Sequence, residues 1–242
     1  MDQTKKVLLL GASGSIGGQT IDIINEANGK FILTGFSVGN NLEKAKELLE
    51  KYKTVKSVYI IKKENALALK KLFPLVKFYF GKYGLAKITR NSEYDICVDA
   101  LVGFVGLEPA MVALKRNKVL CLANKEALVA GGTLINDILK SGKGKLFPID
   151  SEHVALAKCL ANCDSKDVKR LIITASGGAL RNIPLEKLPE VKAEEALKHP
   201  TWKMGNKITI DCATMMNKGF EIIEAYYLYG YPIDKIYVQM HD

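Results

Sequence analysis

The chain has 242 residues, 48% of them hydrophobic and 25% charged, and carries a net charge of +9. That length supports one large or two modest domains with ample core, and no apolar run reaches the roughly 18–20 residues of a membrane span. The positive balance admits anionic partners, but the lysines are scattered along helical stretches such as Glu43–Lys53 with no interleaved aromatics, the pattern of a solvated surface and not of a nucleic-acid stripe.

From the N-terminus, Val7–Leu10 is a strand-length apolar run that enters glycines, too short for a signal-peptide core, so the expected location is the cytosol or, after removal of a leader, an organelle stroma. Ser15–Ala27 has helical periodicity, Phe31–Ser37 reads as a strand, and Leu42–Tyr52 as a Lys/Glu-rich helix. Val58–Ile61, Glu64–Phe73, Lys77–Phe80, Ile96–Ala100, Leu107–Arg116, Val119–Leu122, Lys125–Lys140 and Lys145–Ile149 continue the alternation. β-Branched runs between helices of this length predict a parallel sheet covered on both faces, an α/β Rossmann-like domain over residues 1–149. After Ser151 the rhythm changes. Val168–Ala175 and Ile236–Met240 read as strands, Lys207–Ile210 as a third, and Ala213–Tyr229 as one helix, giving an α+β domain over 150–242. The last strand runs directly into the end of the sequence, which predicts a chain cut inside a domain. Five cysteines in a chain without a leader predict reduced thiols.

Three junctions carry chemistry. The first is Gly11-Ala12-Ser13-Gly14-Ser15-Ile16-Gly17, a Gly-x-x-Gly-x-x-Gly loop between strand and helix. Its glycines allow a tight turn, approach of a phosphate to the backbone, and close packing of helix on sheet, while N–H groups at the helix start face an anion. The next strand ends Ser37-Val38-Gly39-Asn40-Asn41. No carboxylate is present there to hold a ribose 2′-OH, which favours NADP, and the same segment reads equally as a turn in which Asn41 caps a helix. The second junction, Asn124-Lys125-Glu126, follows an apolar strand at the sheet edge where such folds bind ligands. Lys125 can hold an anionic or carbonyl oxygen there.

The third is Asp150-Ser151-Glu152-His153. Carboxylates two residues apart can point to one side and share an ion, and with no Cys or second His near them the oxygen donors suit Mg²⁺ or Mn²⁺ over zinc. The competing reading is a helix N-terminus capped by Asp150 or Ser151. Asn217-Lys218-Gly219-Phe220-Glu221 favours the ion. Asn217 and Glu221 share a helix face, an awkward polar set between Met215-Met216 and Ile222-Ile223, and Glu221 offers a third carboxylate.

Together with Ser176-Gly177-Gly178 and His199-Pro200-Thr201-Trp202-Lys203-Met204-Gly205, these segments occur in an order that closely resembles the 1-deoxy-D-xylulose 5-phosphate reductoisomerase family. The resemblance covers essentially the whole chain. It implies an NADPH-binding domain, a catalytic domain that here is incomplete, and a C-terminal helical domain that is absent. It implies NADPH-dependent isomerisation and reduction of 1-deoxy-D-xylulose 5-phosphate to 2-C-methyl-D-erythritol 4-phosphate with a divalent metal, Mg²⁺ or Mn²⁺, in a homodimer without nucleic-acid or membrane partners. On the matching positions, Asp150, Glu152 and Glu221 resemble the metal ligands, and Lys125 and Ser151 resemble contacts to the substrate backbone. Ser176, Asn217 and Lys218 resemble phosphate contacts. His199, Trp202 and Met204 lie in a flap over the substrate. Ser13, Gly14, Ser15, Ile16, Gly39, Asn40, Asn41, Asn124, Glu126 and Gly205 resemble the NADPH set. The chain has Asn40 where the family commonly has Lys, Ala179-Leu180 where Pro-Phe is usual, and Cys212 where a serine donates to the substrate phosphate. Two other readings are a different NADP-dependent dehydrogenase and a non-catalytic NADP-binding fragment.

Overall fold

The computed structural model describes residues 3–199 and 204–241, so Trp202 and its neighbours Pro200, Thr201 and Lys203 lie outside the described residues. The chain divides into two compact units, Met1–Ile149 and Asp150–Asp242.

Over the described residues the first unit is a strict alternation: β1 (Lys5–Leu10), α1 (Ser15–Glu26), β2 (Phe31–Ser37), α2 (Leu42–Lys51), β3 (Ser57–Ile60), α3 (Lys63–Leu72), β4 (Lys77–Phe80), α4 (Gly84–Asn91), β5 (Ile96–Asp99), α5 (Leu107–Lys115), β6 (Val119–Leu122), α6 (Lys125–Ser141) and β7 (Lys145–Pro148). The strands form one sheet in the order β4-β3-β2-β1-β5-β6-β7, every pair parallel. Successive residues of a strand point to opposite faces. Burial of Val7, Leu8, Leu9 and Leu10 in succession therefore means that β1 is covered on both sides. Val7 and Leu9 belong to a core with Ile21, Phe36, Leu48 and Leu69. Each such side chain removed from water contributes about 1.5–3 kcal/mol. This is the sheet predicted from the apolar runs. The helix α4, between β4 and β5, adds one element to the expected alternation.

Strand order reverses at β1, whose neighbours are β2 and β5. Crossovers leave in opposite directions on either side of that point, which opens a crevice outside the carboxyl ends of the strands. The glycine loop stands there.

The second unit contains α7 (Ser151–Leu160), β8 (Leu171–Ala175), α8 (Ala193–Ala196), α9 (Asn206–Ala213), α10 (Met216–Tyr229) and β9 (Ile236–Met240), with β8 and β9 paired in parallel. Leu156, Ile173, Ala225 and Ile236 form its core. Two expectations fail here. Lys207–Ile210 is not a strand but part of α9, and the helix expected over Ala213–Tyr229 is interrupted at Met215, which takes the left-handed φ of 60°. No helix among the described residues is long and apolar enough to cross a membrane.

Candidate functional site

In the first unit the glycine loop is tied to the sheet by its own backbone. Gly11 N–H donates to Ser37 Oγ at 2.8 Å and Ala12 N–H to Ser37 O at 2.9 Å, so the end of β2 fixes the turn. Gly11 has φ +90°, and a Cβ there would lie 2.4 Å from Ala100 O; one on Gly17 would lie 2.3 Å from Gly11 O. Both close approaches need glycine. Gly14 occupies the N-cap of α1 without a side chain to cap it, and no acidic residue lies in the first turn. Ser13 and Ser15 are exposed and Ile16 half-buried beside it. The free N–H groups and positive dipole end of α1 suit a phosphate.

At the end of β2, Gly39 is half-buried and Asn40 exposed. Asn41 accepts a hydrogen bond from Lys44 N at 3.0 Å and caps α2, so its side-chain oxygen is used structurally. Asn124 is similarly committed. Its Nδ2 donates to Leu101 O at 2.9 Å and Gly103 O at 2.8 Å, and its Oδ1 accepts from Ala127 N at 2.8 Å. Both amide protons are thereby occupied, which leaves its backbone as the part available to a ligand. It caps α6 and holds the 100–103 segment, the same segment against which Gly11 packs. Lys125, the first residue of α6, is buried, and Glu126 follows it half-buried. Asp99, at the carboxyl end of β5, was not singled out by sequence. It is fully buried; Oδ1 accepts from Leu101 N at 3.2 Å and Oδ2 has no hydrogen-bond partner among the described residues. Burial, and in smaller part the charge of Glu126, outweigh the Leu101 bond and push its carboxyl up to about 7.

In the second unit the carboxylates converge. Asp150 stands at the N-cap position of α7, but its side chain makes no capping bond. Helix start and carboxylate cluster therefore coexist, and neither excludes the other as the sequence readings did. One oxygen each of Asp150, Glu152 and Glu221 lie within 4.8 Å of one another. Glu221 is completely buried. The Lys218 ammonium reaches Glu152 Oε1 at 3.1 Å and also contacts Glu221, while Asn217 Nδ2 donates to Glu221 Oε1 at 2.5 Å. Ser151 Oγ donates to Glu152. Burial alone would raise Glu152, but that hydrogen bond and the charge of Lys218 hold its carboxyl down at about 2. Glu152 and Glu221 share the one ammonium and Asp150 adds a third carboxylate beside them, and the donors are all hard oxygens. Opposite ligands of Mg²⁺ sit roughly 4.2 Å apart, so a small inward movement fits the set to such an ion.

Behind the cluster, His153 on α7 places Nε2 3.1 Å from Glu224 Oε2 on α10, both side chains buried. Tyr229 OH donates to His153 O at 2.5 Å. Burial and then the Glu224 charge raise the Tyr229 hydroxyl above its ordinary range. These contacts cross-brace the two helices that carry Glu152 and Glu221. Sequence reading missed Glu224; its one signal was a second acid three residues beyond Glu221, on the same helix face. Elsewhere in this unit Ser176 Oγ lies 3.2 Å from His199 Nε2, and Gly178 rests on the backbone of Cys212 and Ala213. Of the residues expected around a phosphate, Ser176 and His199 contact each other, and Asn217 and Lys218 both contact Glu221. Gly205 caps α9 and Met204 precedes it.

Comparison with known proteins now separates the family from other nucleotide-binding folds. A model of 1-deoxy-D-xylulose 5-phosphate reductoisomerase matches residues 7–132, and one of that enzyme's C-terminal domain matches 146–229. The chain belongs to the 1-deoxy-D-xylulose 5-phosphate reductoisomerase family. It is 44% identical over 237 residues to the reductoisomerase of Lysinibacillus sphaericus and 43% identical over 234 to that of Listeria innocua. Those alignments cover 98% and 97% of the chain; it spans 62% and 61% of the length of these relatives. Among solved structures it is similar to a DOX-P reductoisomerase in complex with NADPH, fosmidomycin and magnesium, with TM-score 0.90 and 32% identity. It is also similar to the Zymomonas mobilis enzyme in complex with NADPH, with TM-score 0.88 and 33% identity. Each of the two alignments covers 98% of this chain, and 61% and 62% of the respective neighbour.

Proposed function

We propose that this chain carries the cofactor, metal and substrate machinery of an NADPH-dependent reductoisomerase that converts 1-deoxy-D-xylulose 5-phosphate to 2-C-methyl-D-erythritol 4-phosphate. The observation that carries the reading is the gathering of Asp150, Glu152 and Glu221 with Lys218 and Asn217 at one place. Family membership and the NADPH and magnesium complexes of its neighbours support it.

In this reading residues 1–149 bind NADPH. The loop Ser13-Gly14-Ser15-Ile16 faces its phosphates, with the N–H groups of Ser15 and Ile16 at the start of α1 as donors while Gly14 N–H closes the turn onto Gly11 O, Gly39, Asn40 and Asn41 lie beside the adenosine ribose, and Asn124, Glu126 and Gly205 complete the set. Residues 150–242 hold the metal and substrate. Asp150, Glu152 and Glu221 are the ligands of Mg²⁺ or Mn²⁺. A divalent ion held there supplies Lewis-acid stabilisation to charge developing on neighbouring substrate oxygens. Ser151 and Lys125 donate to the substrate backbone. Lys218, Asn217, Ser176 and His199 hold its phosphate, a group remote from the chemistry whose binding energy can be spent on positioning the reacting centre. The low pKa of Glu152 keeps it an acceptor throughout the neutral range. The same reading makes the protein a homodimer located in the cytoplasm or an organelle stroma.

Incubation with substrate, NADPH and Mn²⁺ tests the reading. Substrate-dependent NADPH consumption that stops with EDTA is expected; consumption indifferent to EDTA would point instead to a metal-independent dehydrogenase.

Cys212 offers a finer test. A thiol is a weak donor, and a hydrogen bond to a charged group contributes about 1.5–3 kcal/mol. Cys212→Ser is therefore expected to lower KM for the substrate about tenfold or more, with kcat little changed. An unaltered KM would remove Cys212 from the phosphate site.

A further inference from the structure

All strands of a parallel sheet begin at one edge. Here that edge is the one opposite the glycine loop, and nearly every strand enters from lysine. Lys5 and Lys6 open β1, Lys30 precedes β2, Lys56 precedes β3, Lys77 opens β4, Lys118 precedes β6 and Lys145 opens β7; β5 alone enters from an acid, Asp95. Backbone bonds set them side by side, Lys77 N to Lys56 O at 2.9 Å and Lys5 N to Lys30 O at 2.8 Å. The helices of an α/β fold end at this edge, and lysines complement the negative ends of their dipoles. That accounts for the row of lysines.

It does not account for what the row surrounds at its β1–β4 side. A cavity of about 600 Å³ opens there, lined by four lysines, Lys6, Lys53, Lys56 and Lys77, against one acid, Glu93. Glu93 pairs with Lys6 at 3.0 Å. Lys53, Lys56 and Lys77 have no carboxylate partner among the described residues. The cavity wall also holds surplus donors. Tyr79 is 7% exposed, and its hydroxyl is buried with no hydrogen-bond partner among the described residues. Ser57 Oγ and Ser92 Oγ, both buried, lie 2.7 Å apart. Only one of the two can donate to the other, so the second proton needs a further acceptor. An unsatisfied buried hydroxyl is costly and rare, and one lining a basic cavity calls for an acceptor that is also an anion.

We propose that this cavity is a second anion site, distinct from the glycine loop, that takes a small organic phosphate with two or more negative charges. Lys53, Lys56 and Lys77 supply the charge. Tyr79 and the Ser57–Ser92 pair supply the directed donors. The volume lies within the range of small-molecule pockets, roughly 300–1,000 Å³, and is too large for a bare phosphate ion. Because the site stands at the opposite edge of the sheet, a ligand there leaves the glycine loop open.

Inorganic pyrophosphate is the probe, titrated calorimetrically without divalent metal and in saturating NADPH. Wild-type protein, Lys56→Gln/Lys77→Gln and Tyr79→Phe are compared, with NADPH affinity and thermal midpoint measured for each. The paired lysine variant is expected to bind pyrophosphate at least about tenfold more weakly, in keeping with lost charge-assisted bonds, and NADPH as tightly as wild type. Tyr79→Phe is expected to weaken pyrophosphate severalfold while leaving the ligand-free thermal midpoint equal or higher, because it deletes an unsatisfied group. Equal pyrophosphate affinity in wild type and the lysine variant overturns the site. So does loss in the lysine variant with no change in Tyr79→Phe, which describes an adventitious ion only, attracted to a basic surface.

Discussion

Glu221→Gln is expected to weaken Mn²⁺ binding on the order of a hundredfold, since affinity at an oxygen site follows the charge count of its ligands. The substitution keeps shape and removes charge. It also creates a local conflict. Glu221 Oε1 accepts from Asn217 and Oε2 contacts the Lys218 ammonium, so donors flank the carboxylate on both sides. Whichever way the glutamine amide is turned, its NH₂ faces a donor at a fully buried position. That adds a metal-independent destabilisation of about 1–3 kcal/mol. The two effects separate experimentally: the first appears in a Mn²⁺ isotherm on folded protein, the second in the urea midpoint without metal. A variant that binds Mn²⁺ like the wild type would show that Glu221 serves only to pair with Lys218 and Asn217. The tightness of that pairing makes the result informative. Without metal Lys218 is the neutralising cation, and a divalent ion has to share the carboxylates with it.

The parts of the fold legible in the sequence were those whose causes are local. Strands buried on both faces are written as unbroken apolar runs, and the glycine loop is written as spacing, because Gly11 and Gly17 each occupy a position where a Cβ would meet backbone. α9 was misread for a local reason too. Lys207-Ile208-Thr209-Ile210 has the β-branched content of a strand, but Thr209 Oγ1 donates to Gly205 O at 2.9 Å and Lys207 pairs with Asp211 at 2.5 Å, an i,i+4 bridge. Those contacts and packing override a weak propensity. The break at Met215 left no sign, since nothing about methionine announces a left-handed residue.

The candidate site was legible in its parts and not in its assembly. Asp150 and Glu152 were visible as neighbours, and Asn217 and Glu221 as one helix face. Their meeting depends on α7 and α10 packing together, which spacing does not encode across nearly seventy residues. The same holds for His153 and Glu224, 3.1 Å apart in space. Asn124 was assigned to the cofactor by resemblance, yet its amide is consumed by Leu101, Gly103 and Ala127. The side chain holds the segment on which Gly11 rests, and the backbone is the part left for a ligand. Nothing in the expected strand Ile96–Ala100 marks Asp99 as buried; Gly106, Asn124 and the 100–101 peptide close around it through contacts distant in sequence.

Asp99→Asn is accordingly expected to stabilise the first unit, and to do so increasingly as pH rises. In the unfolded chain the Asp99 carboxyl ionises near 3.8, whereas in the folded protein burial raises it to about 7. The folded state thus holds the proton more tightly. Below 3.8 both states are protonated and the group has no effect on stability. Between 3.8 and about 7 the unfolded chain releases the proton and the folded protein does not, so stability falls steadily. Above 7 both are ionised and the full penalty applies, about 4 kcal/mol for a shift of roughly three units. Asparagine retains the acceptor for Leu101 N and cannot ionise. Native-state hydrogen exchange of the β5 and β6 amides in wild type and variant should coincide near pH 4 and separate progressively to pH 8, tracking the ionisation of a single carboxyl. Parallel curves across that interval would mean that Asp99 is ionised in the folded protein throughout, held by partners other than Leu101. The position of Asp99 gives the result a bearing on function. Its charge appears beneath the 100–101 peptide, whose Ala100 O lies where a Cβ on Gly11 would have to go. In the proposed NADPH-binding reading, titration of NADPH at about pH 6 and pH 8 is expected to show a smaller change in affinity for the variant than for the wild type.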